Sequence, residues 1–218
     1  MVGANVGANK ETNDRVGDYV AGINAVWAHC AYVTANVSSP NTPGLRGLQE
    51  RGALEDLLGR MNEARAALTA RHGRRPLFLK VAPDLDGTAV RDIAERAIAF
   101  KLDALIVSNT TIARPDTLRS DLRNETGGLS GKPLFALSTE VLRQFAQALS
   151  GAVPLIGAGG VDSGATALAK IKAGASAVQV YSAMVYEGPG LIARIAADLS
   201  ARLKAEGFAN VGDAVGRG

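Results

Sequence analysis

Residues 153–163 read Val-Pro-Leu-Ile-Gly-Ala-Gly-Gly-Val-Asp-Ser. The apolar run Val153–Ile156 is too short for a helix and fits a buried strand, after which Gly157, Gly159 and Gly160 turn the chain. Ser163 is a helix N-cap type standing before Ala167, Leu168 and Ile171, which share one helical face. A strand therefore feeds a helix through a tight loop. The pattern recurs along the chain. Further apolar runs lie at Tyr32–Val37, Leu77–Val81, Ala104–Val107 and Ala177–Val180. Between them helical faces are marked by Leu54, Leu57, Leu58, Met61 and Leu68, by Val90, Ile93, Ala97 and Ile98, and by Val141, Leu142, Phe145 and Leu149. Leu191, Ile192, Ile195, Leu199 and Leu203 form the last face. Ser138 also reads as an N-cap, Asp84 as the cap of the helix after Pro83, and Gly73, Gly174 and Gly207 as helix stops.

Short, continuously apolar strands alternating with helices predict an α/β protein with a parallel sheet. A closed β/α barrel and an open doubly wound sheet both fit that alternation. The polar residues favour the barrel. Asn36–Asn41, Lys80, Ser108–Thr110, Gly157–Gly160 and Tyr181-Ser182 all sit at or just past strand C-terminal ends, which a barrel gathers around one mouth. Residues 2–9, Val-Gly-Ala-Asn-Val-Gly-Ala-Asn, read as one more strand running into a loop. That makes roughly six strands against the eight of a (β/α)8 barrel, and the expectation is a TIM-type barrel lacking roughly the first two.

At 218 residues and 47% hydrophobic, the chain can bury a sizeable core. A formal charge of +3 with scattered Lys and Arg argues against nucleic-acid binding. The one dense basic stretch, Arg71–Arg75, falls at a helix C-terminus, where cations suit the dipole. Cys30 is the only cysteine, which excludes internal disulfides and cysteine-rich metal sites. His29 and His72 are the only histidines, too few for most catalytic metal centres.

Gly157–Gly160 brings backbone amides to the start of a helix, a phosphate-binding arrangement. It is not a dinucleotide fingerprint, because Asp162 occupies the third glycine position. Tyr181-Ser182 follows the next strand and would supply the other side of the cradle. Lys80 closes an apolar strand, where an amine calls for an anionic partner. Residues 111–136 are long and polar for a strand-to-helix link, which suits a lid or binding loop. In Asn36-Val-Ser-Ser-Pro-Asn41, two amides that both donate and accept suit a planar ligand with carbonyl and ring N–H groups, and Asn109 and Thr110 repeat that chemistry. Ser39 has no histidine near it in sequence, so triad chemistry is poorly supported.

Residues 36–46 (Asn-Val-Ser-Ser-Pro-Asn-Thr-Pro-Gly-Leu-Arg), 79–84 (Leu-Lys-Val-Ala-Pro-Asp), 108–111 (Ser-Asn-Thr-Thr), 125–134 (Glu-Thr-Gly-Gly-Leu-Ser-Gly-Lys-Pro-Leu) and 156–161 (Ile-Gly-Ala-Gly-Gly-Val) closely resemble dihydroorotate dehydrogenase. The ending Gly-Phe-Ala-Asn-Val-Gly-Asp-Ala-Val-Gly continues a match that runs along essentially the whole chain. The resemblance implies an FMN-dependent β/α barrel that oxidises dihydroorotate to orotate in pyrimidine synthesis. It implies that Ser39 is the base, since the family carries cysteine or serine there, and serine marks the quinone-using, membrane-associated class 2. It assigns Asn36, Asn41, Asn109 and Thr110 to the substrate. Asn5, Asn36, Lys80, Ser108, Gly131, Gly160, Tyr181 and Ser182 are assigned to FMN, with Ser108 and Ser182 where threonine is usual. Thr42 is a possible proton relay.

The same resemblance implies partners and place: ubiquinone or a related quinone as oxidant, and peripheral attachment to the cytoplasmic face of a bacterial inner membrane. It makes residues 1–218 a partial FMN-binding barrel domain without the family's N-terminal helical domain, which admits the quinone. Alone, the chain is then expected to be soluble without the membrane-binding segment, to hold FMN weakly or not at all, to oligomerise or aggregate, and not to turn over dihydroorotate. Two other functions compete: a flavin-dependent oxidoreductase of another dihydropyrimidine, and a non-catalytic barrel remnant.

Overall fold

The structure, a computed structural model, describes all residues 1–218. Six strands form one parallel sheet: β1 (Gly3–Val6), β2 (Tyr32–Asn36), β3 (Leu77–Val81), β4 (Ala104–Val107), β5 (Leu155–Gly157) and β6 (Ala175–Val178). Their spatial order is their sequence order, with no reversal. A doubly wound sheet reverses direction at a switch point, so this order is that of a barrel wall. The connecting helices are α1 (Arg15–Val26), α2 (Arg51–His72), α3 (Gly87–Ala99), α4 (Phe135–Leu149) and α5 (Gly164–Lys172). Beyond β6 follow α6 (Ser182–Glu187), α7 (Leu191–Ala205) and α8 (Val211–Ala214).

Alternation along the strands separates two faces. Val33, Ala35, Leu77, Leu79, Val81, Leu105, Val107 and Leu155 are buried with the apolar faces of α1 to α4 in one continuous core. That outer face carries most of the hydrophobic stabilisation. The concave face carries Thr34, Asn36, Phe78, Lys80 and Ile106, with the rings of Tyr32 and Phe78 centred 4.9 Å apart. Asn36, Lys80, Ile106, Ile156 and Ala177 occupy one register row across β2 to β6. The sheet thus turns its polar residues inward and upward to the strand C-terminal ends.

Several expectations need correction. Ser138 lies inside α4 and caps nothing, because a 3-10 turn at Lys132–Leu134 with Pro133 at its start already leads the chain into the helix. Asp86, not Asp84, caps α3, accepting from the Thr88 and Ala89 amides. Ile98 and Ile192 are exposed, at 43% and 48%. Strand β5 begins at Leu155, since Pro154 offers the ladder only its carbonyl, to Leu105 N at 3.0 Å. Strand β6 starts at Ala175, ahead of the expected Ala177. Ser163 does cap α5, in a capping box with Thr166, and Gly73, Gly174 and Gly207 close helices at positive φ.

Candidate active site

A cavity of about 1180 Å³ opens at the strand C-terminal ends. Its walls come from the ends of β3 and β4 (Lys80, Ser108–Thr110), from residues 129–134, from the glycine loop 158–161, and from Gln179, Tyr181 and Ser182 after β6. Eight of the expected site residues meet there: Lys80, Ser108, Asn109, Thr110, Gly131, Gly160, Tyr181 and Ser182. Asn5, Asn36, Ser39 and Asn41 do not line it.

The glycine loop is held open by close packing. Gly159 has φ +97°, and a Cβ there would lie 2.8 Å from Ser138 Oγ. At Gly160, φ +74°, it would lie 2.5 Å from Phe135 Cβ. A side chain at either position would collide or be strained, so glycine keeps the backbone on the cavity wall. The N–H groups of Gly131, Gly159, Gly160 and Tyr181 donate to nothing within the chain. Backbone amides left free of intrachain partners on one cavity wall can cradle an anion. Ser182 Oγ and Ser130 Oγ, 2.9 Å apart, add hydroxyls. Lys80 completes the positive lining: burial pulls its pKa below the usual lysine value, and no carboxylate lies within 4.0 Å of its amine. The residues present therefore fit a phosphorylated, partly apolar ligand such as FMN.

Beside the cavity, a hydrogen-bonded cluster fixes the candidate substrate residues. Asn109 Nδ2 donates to Asn36 Oδ1 and to Ser38 Oγ, both at 3.1 Å, and Ser38 Oγ donates to Asn36 Oδ1 at 2.9 Å. Tyr19 of α1 supports the cluster from behind, its hydroxyl donating to the Asn36 carbonyl at 2.7 Å, and burial raises its pKa. Of the paired serines, Ser38 is fully buried in this network. Ser39 is only half-buried, and its Oγ accepts the Asn41 N–H at 3.3 Å. No hydrogen bond joins Ser39 to Thr42, so the expected relay is not in place. Asn41 adjoins the loop at Gly127, where a Cβ would lie 3.3 Å from Asn41 Oδ1. Gly128 packs against Thr110 and Pro40 so closely that a Cβ would meet Thr110 Oγ1 at 1.8 Å. Asn5 is exposed on β1, on the concave face one register row below Asn36.

Sequence reasoning missed the groups that hold these loops together. Arg46 donates to the Ser38 carbonyl (3.2 Å), the Thr110 carbonyl (2.9 Å) and Asp84 (2.8 Å), tying the loops after β2, β3 and β4. Asp84 also accepts from Thr111 Oγ1 and from Ile112 N. The long link 111–136 is pinned rather than loose. Thr111 and Leu129 form an antiparallel bridge, and Arg114 donates to the carbonyls of Glu125 (2.8 Å) and Gly127 (2.7 Å). The only sequence signal for Arg46 was its place at the end of the Asn-Val-Ser-Ser-Pro-Asn stretch.

Comparison with known proteins agrees with this geometry. The family model described as dihydroorotate dehydrogenase matches residues 1–203. A relative from Xanthobacter autotrophicus named dihydroorotate dehydrogenase (quinone) is 54% identical over 99% of this chain and 61% of its own length. One of the same name from Azorhizobium caulinodans is 55% identical, again over 99% and 61%. Among solved structures, dihydroorotate dehydrogenase from Eimeria tenella in complex with ferulenol superposes with a TM-score of 0.94 at 40% identity, covering 98% of this chain and 60% of that one. Its ligand-free form gives 0.94 at 42%, covering 99% and 63%. The chain thus spans about three-fifths of the relatives it matches, and over that span its sequence and its backbone fold agree with theirs: the chain belongs to the dihydroorotate dehydrogenase family.

Proposed function

We propose that this chain supplies the FMN- and dihydroorotate-binding part of an enzyme that oxidises dihydroorotate to orotate and passes the electrons to a quinone. The observation that carries the cofactor is the set of N–H groups without intrachain partners at Gly131, Gly159, Gly160 and Tyr181 around one cavity. Family membership and the names of the quinone-linked relatives support the reaction.

In this reading the glycine loop and the Tyr181-Ser182 turn would hold the phosphate of FMN, and Ser108, Gly131, Asn5 and Asn36 would supply its further contacts. Bound FMN supplies the acceptor for the hydride leaving C6 of dihydroorotate. Asn36, Asn41, Asn109 and Thr110 orient the substrate ring and carboxylate. The Asn36–Asn109 hydrogen bond presets their spacing, which lowers the cost of positioning the substrate. Ser39 takes the C5 proton while its own hydroxyl proton passes to solvent. A free hydroxyl is a weak base, so the step depends on placement. Lys80, on the cavity wall, would stabilise negative charge on a flavin bound beside it. Residues 1–218 act as a barrel domain in this scheme. A quinone is a lipid-phase oxidant, so reoxidation belongs at a membrane surface. No helix here is long and apolar enough to cross one.

The test is a chimera in which this chain replaces the matching part of the Xanthobacter autotrophicus relative. With FMN bound, dihydroorotate should bleach the flavin's visible absorbance under anaerobic conditions. Ser39→Ala should slow that bleaching by about 10²–10⁴-fold, the usual worth of a positioned base, and leave flavin bound. A folded, flavin-loaded chimera that dihydroorotate does not bleach would overturn the proposal.

A further inference from the structure

Lys170, on α5, is fully buried, and its Nζ donates to Ser138 Oγ at 2.6 Å. That is its only hydrogen bond, although an ammonium carries three donors. Its amine also lies 5.3 Å from the centre of the Phe135 ring, within the range of a cation–π contact. No carboxylate lies within 4.0 Å of it. Acidic groups on the surrounding elements are engaged elsewhere: Glu140 of α4 with Arg143, Asp198 of α7 with Arg202, Glu206 with Lys172, Asp162 with Lys132, and Asp213 of α8 with Asn210. A buried cation without a counter-ion is costly. Something in the functional state must offset it.

The surroundings show where that counter-charge belongs. Ser138 Oγ, which accepts from Lys170, also lies 3.2 Å from both the Gly159 and the Phe135 carbonyls, between which its one hydroxyl proton is shared. Phe135, beneath the Lys170 amine, is the residue against which Gly160 packs. The stem of Lys170 lies behind the same loop, where a Cβ at Gly157 would meet Lys170 Cβ at 3.1 Å. Lys170, Ser138 and Phe135 therefore form the back of the loop whose Gly159 and Gly160 N–H groups line the cavity at its front.

We propose that Lys170 is a positioning residue of the phosphate cradle: clamped by Ser138 behind Gly159, it gives the loop a buried positive charge that answers a phosphate monoester dianion in front. The inference rests on the cradle reading given above. Burial lowers the Lys170 pKa to about 7, so a nearby dianion is enough to decide whether the amine is protonated. Phosphate binding and proton uptake at Lys170 are then linked, each favouring the other.

The experiment uses the flavin-free form of the chimera described above, labelled on its lysine side chains and backbone amides and titrated with FMN and with riboflavin, which lacks the phosphate. Lysine NMR, with the Lys170 signal assigned by its loss in Lys170→Met, should show the amine's pKa rising by at least about one unit with FMN and staying in place with riboflavin. The Gly159 and Gly160 amide signals report occupancy. If they move with FMN while the Lys170 pKa stays fixed, the inference is wrong and the cradle stands. If they do not move at all, both are wrong. Lys170→Met, with its fold verified by circular dichroism, should weaken FMN about tenfold, as expected for loss of one charge in a partly buried site, and leave riboflavin unaffected. Equal loss for both ligands would make Lys170 merely structural and would also overturn the proposal.

Discussion

Arg46→Met removes the clamp that holds three loops at the barrel mouth. The guanidinium makes bonds of 3.2, 2.8 and 2.9 Å to Ser38, Asp84 and Thr110, and the Arg46 and Asp84 side chains are only 22% and 19% exposed. Charge-assisted bonds to the two carbonyls contribute about 1.5 kcal/mol each, and the largely buried ion pair about 1 kcal/mol, so the loss should be about 4 kcal/mol. Urea unfolding followed by circular dichroism measures it. Hydrogen exchange gives the local signature: the Ile112 amide, bonded to Asp84, should lose protection before the core strands do. Arg46→Lys should restore only about a third of the loss, because one ammonium cannot span acceptors arranged for a planar fork. A loss below about 0.5 kcal/mol, the range of an ordinary surface substitution, would refute the reasoning, as would full rescue by lysine.

Lys80→Ala in the chimera should slow flavin reduction, read by stopped-flow absorbance, with little change in FMN affinity, because the phosphate cradle is built from other loops. Unchanged reduction would refute the role. Lys170 predicts a pH dependence of stability. Its folded pKa of about 7 lies below the ordinary 10.5, so between those values the unfolded chain holds a proton that the folded chain has released. Stability of the ligand-free chain should therefore rise with pH from about 7 to 10.5, by up to about 5 kcal/mol at 1.36 kcal/mol per unit. Lys170→Met should remove that rise, and denaturant curves at several pH values check it.

The repeating strands and helices were legible because each is a local pattern: Leu77–Val81 is an apolar run broken only by Lys80, and Leu54, Leu57, Leu58 and Met61 hold one helical face. The glycine loop and Lys80 were legible too, since glycines after a strand and an amine within one stand out against their surroundings. What failed was whatever depended on distant neighbours. Ser138, followed by Thr139 and Glu140, looks like a cap; only the 3-10 turn before it and the lysine 32 residues later show it as a buried partner. Asp84 after Pro83 reads as the cap, but Asp86 takes that place, and the arginine that claims Asp84 lies 38 residues away. Lys170 sits in a helix beside Lys172, and nothing local says that the first is buried and the second meets Glu206 at the surface. The Asn36–Asn109 bond spans 73 residues, so the residue types could be read as ligand groups without their arrangement being visible.

The most direct test of the account is a crystal structure of the chimera carrying this chain, grown with saturating FMN. The prediction is phosphate density bonded to the Gly159 and Gly160 amides, near Ser182, with the flavin ring reaching towards Lys80. Phosphate bound outside this cavity, or a cavity left empty at saturating FMN, would contradict it.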